Sequence, residues 1–421
     1  MDNRKERILF ISFFLFFISL FLFRLVSSYT AGMCVAGAVA LFYYNSFNEK
    51  IQLLHERKYV WFMVGFGLLL LISVLISDNK SAGNQFLLRR MPLFIFPVTV
   101  GLISLTKKQR DVILVGAGVI ICLACLSTIC YAYYKYQETK DSAWLYNDAL
   151  SDLIRQQSIY TSVLVNIAIY SFINYLINYP VKRWGRIGLV IGIAFLFVIS
   201  YLLASRNMMA ILYLTILLFS LYIILKKRKY TIGIGLVAAF GLIVGVIFIF
   251  FPKTINRFKE LGFTRFNYES QAAESHYAGN LTPDLWNGAN FRLAAWPCGW
   301  QVVKQHPVIG VGLGDKKDEL MKVYQERKFI FAINTGKNLH NNYLDILMGT
   351  GIIGLLLFLT GWAILPMIRL IKSRDGLGFL ILLTFLIAMF TENYFDRSLG
   401  AILYGFFVPF LLSSTGVKKQ V

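Results

Sequence analysis

Charge is what this 421-residue chain has least of: 15% of its residues are Asp, Glu, Lys or Arg, against 57% hydrophobic and 16% aromatic. A soluble domain has about 25% charged residues, so this chain cannot cover a water-facing surface of its size. Cysteine is scarce too. Cys34, Cys122, Cys125, Cys130 and Cys298 give no disulfide framework, and the C-x-x-C spacing of Cys122 and Cys125 lies in an unbroken apolar run without His or carboxylate. That context argues against a zinc or redox role. The sequence has no G-x-x-x-x-G-K-S/T, which excludes an ATP-driven pump. Acids are nearly absent from the apolar runs, which argues against a proton-coupled transporter. No outward pair of acids has the spacing of a divalent-metal site, so neither metal nor cofactor is expected. Gly310-Val-Gly-Leu-Gly314 does not fit G-x-G-x-x-G and reads as a flexible turn.

What is present is apolar length. Runs near the roughly 20 residues that cross a bilayer number about twelve: 8–26, 30–46, 60–77, 91–106, 111–134, 158–178, 186–204, 208–225, 231–251, 343–368, 376–391 and 397–414. The first has no small-residue cleavage site and reads as a retained helix rather than a signal peptide. The formal charge is +20, and its distribution explains it without nucleic acid. Every second connection is short and basic: Arg4, Lys5 and Arg7; Lys50, Arg57 and Lys58; Lys107, Lys108 and Arg110; Lys182, Arg183 and Arg186; Lys226 to Lys229; Arg369, Lys372 and Arg374; Lys418 and Lys419. The positive-inside rule then puts both termini in the cytoplasm. The expected fold is an all-α integral membrane protein with about twelve transmembrane helices and one large outward loop. It divides into an N-terminal bundle of about nine helices (1–251), the loop (252–342) and C-terminal helices (343–421).

The loop is too long for an ordinary connection, and loops of that length are usually functional. Phe291 to Gln305 carries apolar residues at helical spacing, with Pro297 expected to end or kink that helix unless the helix begins near it. Asp315 to Lys328 reads as a second, polar helix on the membrane face.

Outward charges unexplained by the sidedness rule are the candidates for chemistry. Arg206 sits in a turn between two spans, too short to hold it far from the membrane. Arg292 belongs to the large-loop helix. His340 lies where that loop re-enters the membrane, among Asn338, Asn341 and Asn342 at a helix start. A neutral imidazole there can take a proton from a hydroxyl. His55, His276 and His306 lack such surroundings. Arg89 and Arg90 end an outer loop, either anchoring the interface or attracting an anionic lipid headgroup. Glu392, in the last outer turn, could orient a base or an arginine. Arginine binds phosphate bidentately and stays charged, so it can hold a departing pyrophosphate as a metal would. Two arginines and a histidine therefore suit transfer from a lipid pyrophosphate, with the lipid tail among the spans. A flippase or exporter that handles a headgroup with arginines is the competing class.

Three segments carry a resemblance to the O-antigen ligase and polymerase superfamily. They are Ala-Ser-Arg206-Asn; Asn-Phe-Arg292-Leu-Ala-Ala-Trp296 leading through His306-Pro307 to Gly310-Val-Gly-Leu-Gly314; and Leu339-His340-Asn341-Asn342-Tyr343-Leu344 running on to Gly354. The match covers about residues 200–360. The outer loop before the sixth span lacks the His-Pro of many relatives. The resemblance implies a GT-C-like membrane glycosyltransferase of the bacterial inner membrane with a periplasmic site, independent of metal. Its donor would be a glycan on undecaprenyl pyrophosphate and its acceptor lipid A–core, among membrane lipids. By the family's motifs Arg206 and Arg292 would hold the pyrophosphate and His340 would activate the acceptor hydroxyl, with inversion at the anomeric carbon. Arg89, Arg90, Asn341, Tyr343, Trp296 and Glu392 complete the expected substrate-binding set. The chain looks more like a ligase than a repeat-unit polymerase or a protein O-oligosaccharyltransferase.

Overall fold

The computed structural model describes residues 3–22, 26–225, 262–274 and 282–415, with scattered positions between 228 and 245. The expected span at 231–251 falls largely outside the described residues, as do the basic connection before it and His276. Among the described residues the chain is helix, turn and loop, with one isolated bridge between Glu274 and Trp286.

Seven described helices are long and apolar enough to cross a membrane, and shorter apolar helices at Ser28–Tyr44, Gly376–Ala388 and Ser398–Leu412 fall on further expected spans. The protein is a multi-pass, all-helical membrane protein. Ser158–Asn178 and Ser398–Leu412 are buried around nearly their whole circumference, as expected of helices apolar on every face. Phe13 and Phe16 pack against Phe406, and Phe13 also meets Phe410, which ties the first described helix to the last.

Two boundaries move for local reasons. The 111–134 run lengthens to Lys107–Thr139 because Thr106 and Gln109 form a reciprocal cap at its start. The 91–106 run gains a helical extension because residues 80–90 are not loop. Asn79 accepts a hydrogen bond from the Ala82 N–H at 3.1 Å and starts the helix Lys80–Arg90, and Pro92 opens the next one.

The connections sort to two ends. At one, Arg57 donates to the carbonyls of Gly101 (2.6 Å), Ile103 (2.7 Å) and Ser413 (3.2 Å), and Arg110 pairs with Asp111 and Asp375. At the other, the large loop clamps onto the bundle. The Asp315 carboxylate accepts the N–H groups of Asp78 (2.8 Å) and Asn79 (2.7 Å), while Ser73 and Ser77 accept those of Leu313 and Gly314, each at 2.9 Å.

Of three readings of the large loop, one holds and two need correction. The helix Gly288–Gln305 runs through Pro297 without ending. An interior proline costs about 3 kcal/mol, and here tertiary burial of Phe291, Ala294, Ala295, Cys298 and Val302 overrides it. The polar helix is present as Lys316–Glu326. Gly310-Val-Gly-Leu-Gly314 is not a flexible turn but a tightly packed one. Val311 N–H reaches the Met348 carbonyl at 2.9 Å and Gly312 N–H that of Gly349 at 3.2 Å. Gly310 has φ of 71° and lies so close to the Met348–Thr350 backbone that a Cβ could not fit.

Candidate active site

At the clamped end a cavity of about 500 Å³ opens between the bundle and the large loop, and Arg206, Arg292, His340 and Glu392 all line it. They come from four stretches of chain that sequence alone leaves far apart. Each arrives by a local device.

Arg206 opens the helix Arg206–Leu225 after a turn in which Ala204 takes a left-handed conformation, φ 49°. A non-glycine residue there is uncommon and reverses the chain sharply. Arg292 lies one turn into Gly288–Gln305, whose start is capped reciprocally by Asn287 and Asn290. Its Nε and Nη2 donate to the Thr391 carbonyl at 3.0 and 2.6 Å, and its Nη1 donates to the Gly288 carbonyl. A guanidinium has five N–H groups, so main-chain oxygens orient the fork and leave donors over for a ligand. Burial draws Arg292 below its usual basicity, against the pull of Glu392 and Glu274. Arginine remains charged nonetheless, and a desolvated cation in a cavity favours an anionic occupant.

Gly288 is the meeting point of the two arginines, and sequence reasoning missed it. A Cβ there would lie 2.9 Å from Arg292 Nη1 and 3.1 Å from Arg206 Nη2. Gly288→Ala should therefore displace both groups while leaving the helix start intact. The expected result is a loss of about 10–10² in turnover, with thermal unfolding little changed. Full turnover in this variant would show that the paired guanidinium groups are not used.

His340 also sits in the left-handed region, φ 47°, held by its N–H bond to Asn338 Oδ1 at 3.1 Å and by the Phe291 ring edge-on at 5.8 Å. Its Nδ1 faces Glu392 Oε2 at 3.0 Å. A carboxylate only accepts, so Nδ1 carries the hydrogen, and whenever the ring is neutral Nε2 holds the lone pair. Burial alone would raise the Glu392 carboxyl, but His340 and Arg292 outweigh it and hold it below the ordinary carboxylate range. A carboxyl lowered in the fold stabilises the protein above its unfolded value, and that contribution disappears as the pH falls through the folded value. Thermal unfolding curves of the wild type and Glu392→Gln should therefore converge on acidification below the usual carboxylate range. Divergence there would overturn the pairing.

The turn at Thr391–Asn393 organises these groups. The Thr391 carbonyl holds Arg292, its hydroxyl accepts from Asn207 at 2.8 Å beside Arg206, Glu392 meets His340, and Asn393 donates to Asp396 at 3.1 Å. Only Glu392 of these was singled out from sequence. Lys337 and Arg397 also line the cavity; Lys337 is paired with Glu274.

The remaining expected residues go elsewhere. Arg90 does not face a lipid headgroup: it is 1% exposed and pairs with Asp345 at 2.7 Å and Asp396 at 3.2 Å, alongside Lys316. A buried arginine needs such partners, and two carboxylates were available across the fold. Arg89 reaches the Asp396 carbonyl at 3.4 Å and lies over the Phe86 ring, outside the cavity lining. Trp296, Asn341 and Tyr343 line a separate apolar hollow of about 550 Å³ with Leu293, Trp300 and Phe390. The Trp296 indole N–H donates to the Leu339 carbonyl at 3.1 Å, next to His340, so the hollow adjoins the segment that carries the imidazole.

An apolar helical bundle thus closes, at one end, on a cavity lined by Arg206, Arg292 and His340. Residues 191–359 match the family model described as O-antigen ligase. The matched stretch includes Arg206, Arg292 and His340 and stops short of the Thr391–Asn393 turn. No curated protein matches the chain.

Proposed function

We propose that the protein is an O-antigen ligase that moves a glycan from undecaprenyl pyrophosphate to a hydroxyl of lipid A–core, at the periplasmic face of the bacterial inner membrane. The observation that carries this reading is the shared cavity, with Arg206 and Arg292 converging at Gly288 and His340 backed by Glu392. The arginines hold the diphosphate. His340 Nε2 takes the proton of the acceptor hydroxyl as its oxygen attacks the anomeric carbon. The glycosidic bond forms as the carbon–oxygen bond to the diphosphate breaks, and the lipid diphosphate leaves with the pair of electrons. Attack opposite the leaving group inverts the anomeric centre. Glu392 steadies the charge that the imidazole acquires, while the arginines steady that on the leaving group, which makes a metal unnecessary. The lipid tail lies along the apolar hollow beside Trp296 and Tyr343.

Purified protein with lipid-linked glycan, lipid A–core and EDTA tests the reading. Formation of the capped lipid is the expected result. Donor binding without a new glycosidic bond would favour a lipid exporter, and extension of the donor glycan would favour a polymerase.

A further inference from the structure

The transfer cavity does not end at the arginines. It is lined also by Asn147, Asp148 and Gln157, from the connection between Lys107–Thr139 and Ser158–Asn178. Asn147 and Asp148 are at the same time the wall of a second hollow of about 430 Å³, lined also by Asp141, Ser142, Ala143 and Tyr146. Two hollows of drug-ligand size thus meet across a pair of polar side chains. The wall is built to stay in place. Asp148 Oδ1 accepts the Ser158 N–H at 2.6 Å, and Asn147 Oδ1 accepts the Ser158 hydroxyl at 3.1 Å with Asn147 in a left-handed conformation, φ 59°. These bonds use one acceptor from each residue. The amide donors of Asn147, the second oxygen of Asp148 and the Gln157 amide keep their capacity for a ligand.

We propose that this second hollow is a saccharide subsite that takes an oligosaccharide chain running on from the transfer centre. A sugar hydroxyl donates and accepts at once, so it needs donors and acceptors side by side, which Asn147, Asp148 and Gln157 supply. The carbon faces of a pyranose need apolar surface, which Ala143, Ala149 and the Tyr146 ring supply. A diphosphate or a lipid tail would use only one of the two kinds of wall. The chain belongs to the donor glycan or to the sugars of the acceptor, and the inference rests on the glycosyl-transfer reading above.

The test compares donors with one sugar and with several, and acceptors with a full and a truncated core, in the purified full-length protein. Asp148→Asn keeps the oxygen that caps Ser158 and exchanges the other for a donor. Asn147→Gly removes the amide but keeps the left-handed backbone. Ala143→Trp fills the hollow. Each variant should reduce the ratio of kcat/KM for long over short glycan about three- to tenfold, on the donor series or on the acceptor series, and the affected series names the chain that occupies the subsite. Equal losses for long and short glycans on both series, or no loss at all, would overturn the subsite. If the wild type transfers nothing, the glycosyl-transfer reading itself has failed, and the two failures are told apart by that control.

Discussion

His340→Asn should lower turnover by about 10²–10⁴, the range expected when a general base is removed, with donor binding retained. Asparagine is the informative replacement because His340 occupies the left-handed region, which asparagine tolerates better than alanine does. Backbone strain is thereby kept out of the comparison, and His340→Ala serves as the harsher companion. Nδ1 is committed to Glu392 at 3.0 Å, so in the neutral ring Nε2 is the nitrogen that can take a proton. Turnover is measured at saturating acceptor, with capped lipid resolved by gel. A loss of tenfold or less would demote His340 from base to acceptor-positioning group.

Arg292→Ala should cost about 10²–10³ in turnover, as does loss of one preorganised donor to a developing negative charge. The side chain is held by the Thr391 and Gly288 carbonyls before any ligand arrives, so no reorganisation is needed when the diphosphate departs. Arg292→Lys keeps the charge but not the fork, and it should recover only part of the loss. Near-normal turnover in both variants, with the capped lipid ladder intact, would remove Arg292 from the mechanism.

Much of the fold was legible because a bilayer enforces a simple rule. Apolar runs and alternate basic connections follow from the cost of burying charge and open backbone in hydrocarbon, and Ser158–Asn178 matches its expected span residue for residue. Pro297 does not end its helix because propensity is local while the burial that overrides it is not. Arg206, Arg292 and His340 stood out in the sequence as charges at variance with the expected sidedness, and they line one cavity. Gly288 and the pairing of Arg90 were not legible, since each depends on atoms that meet only across the fold. Glu392 stood between: its type and its turn were visible, its partner was not.

The Thr391 carbonyl has a consequence for anyone mapping this protein by substitution. Thr391→Ala removes a hydroxyl from Asn207 but leaves the oxygen that grips Arg292 untouched. Side-chain scanning will therefore understate this position, and a change of backbone, such as an ester in place of the amide or a one-residue insertion, is what would expose its weight.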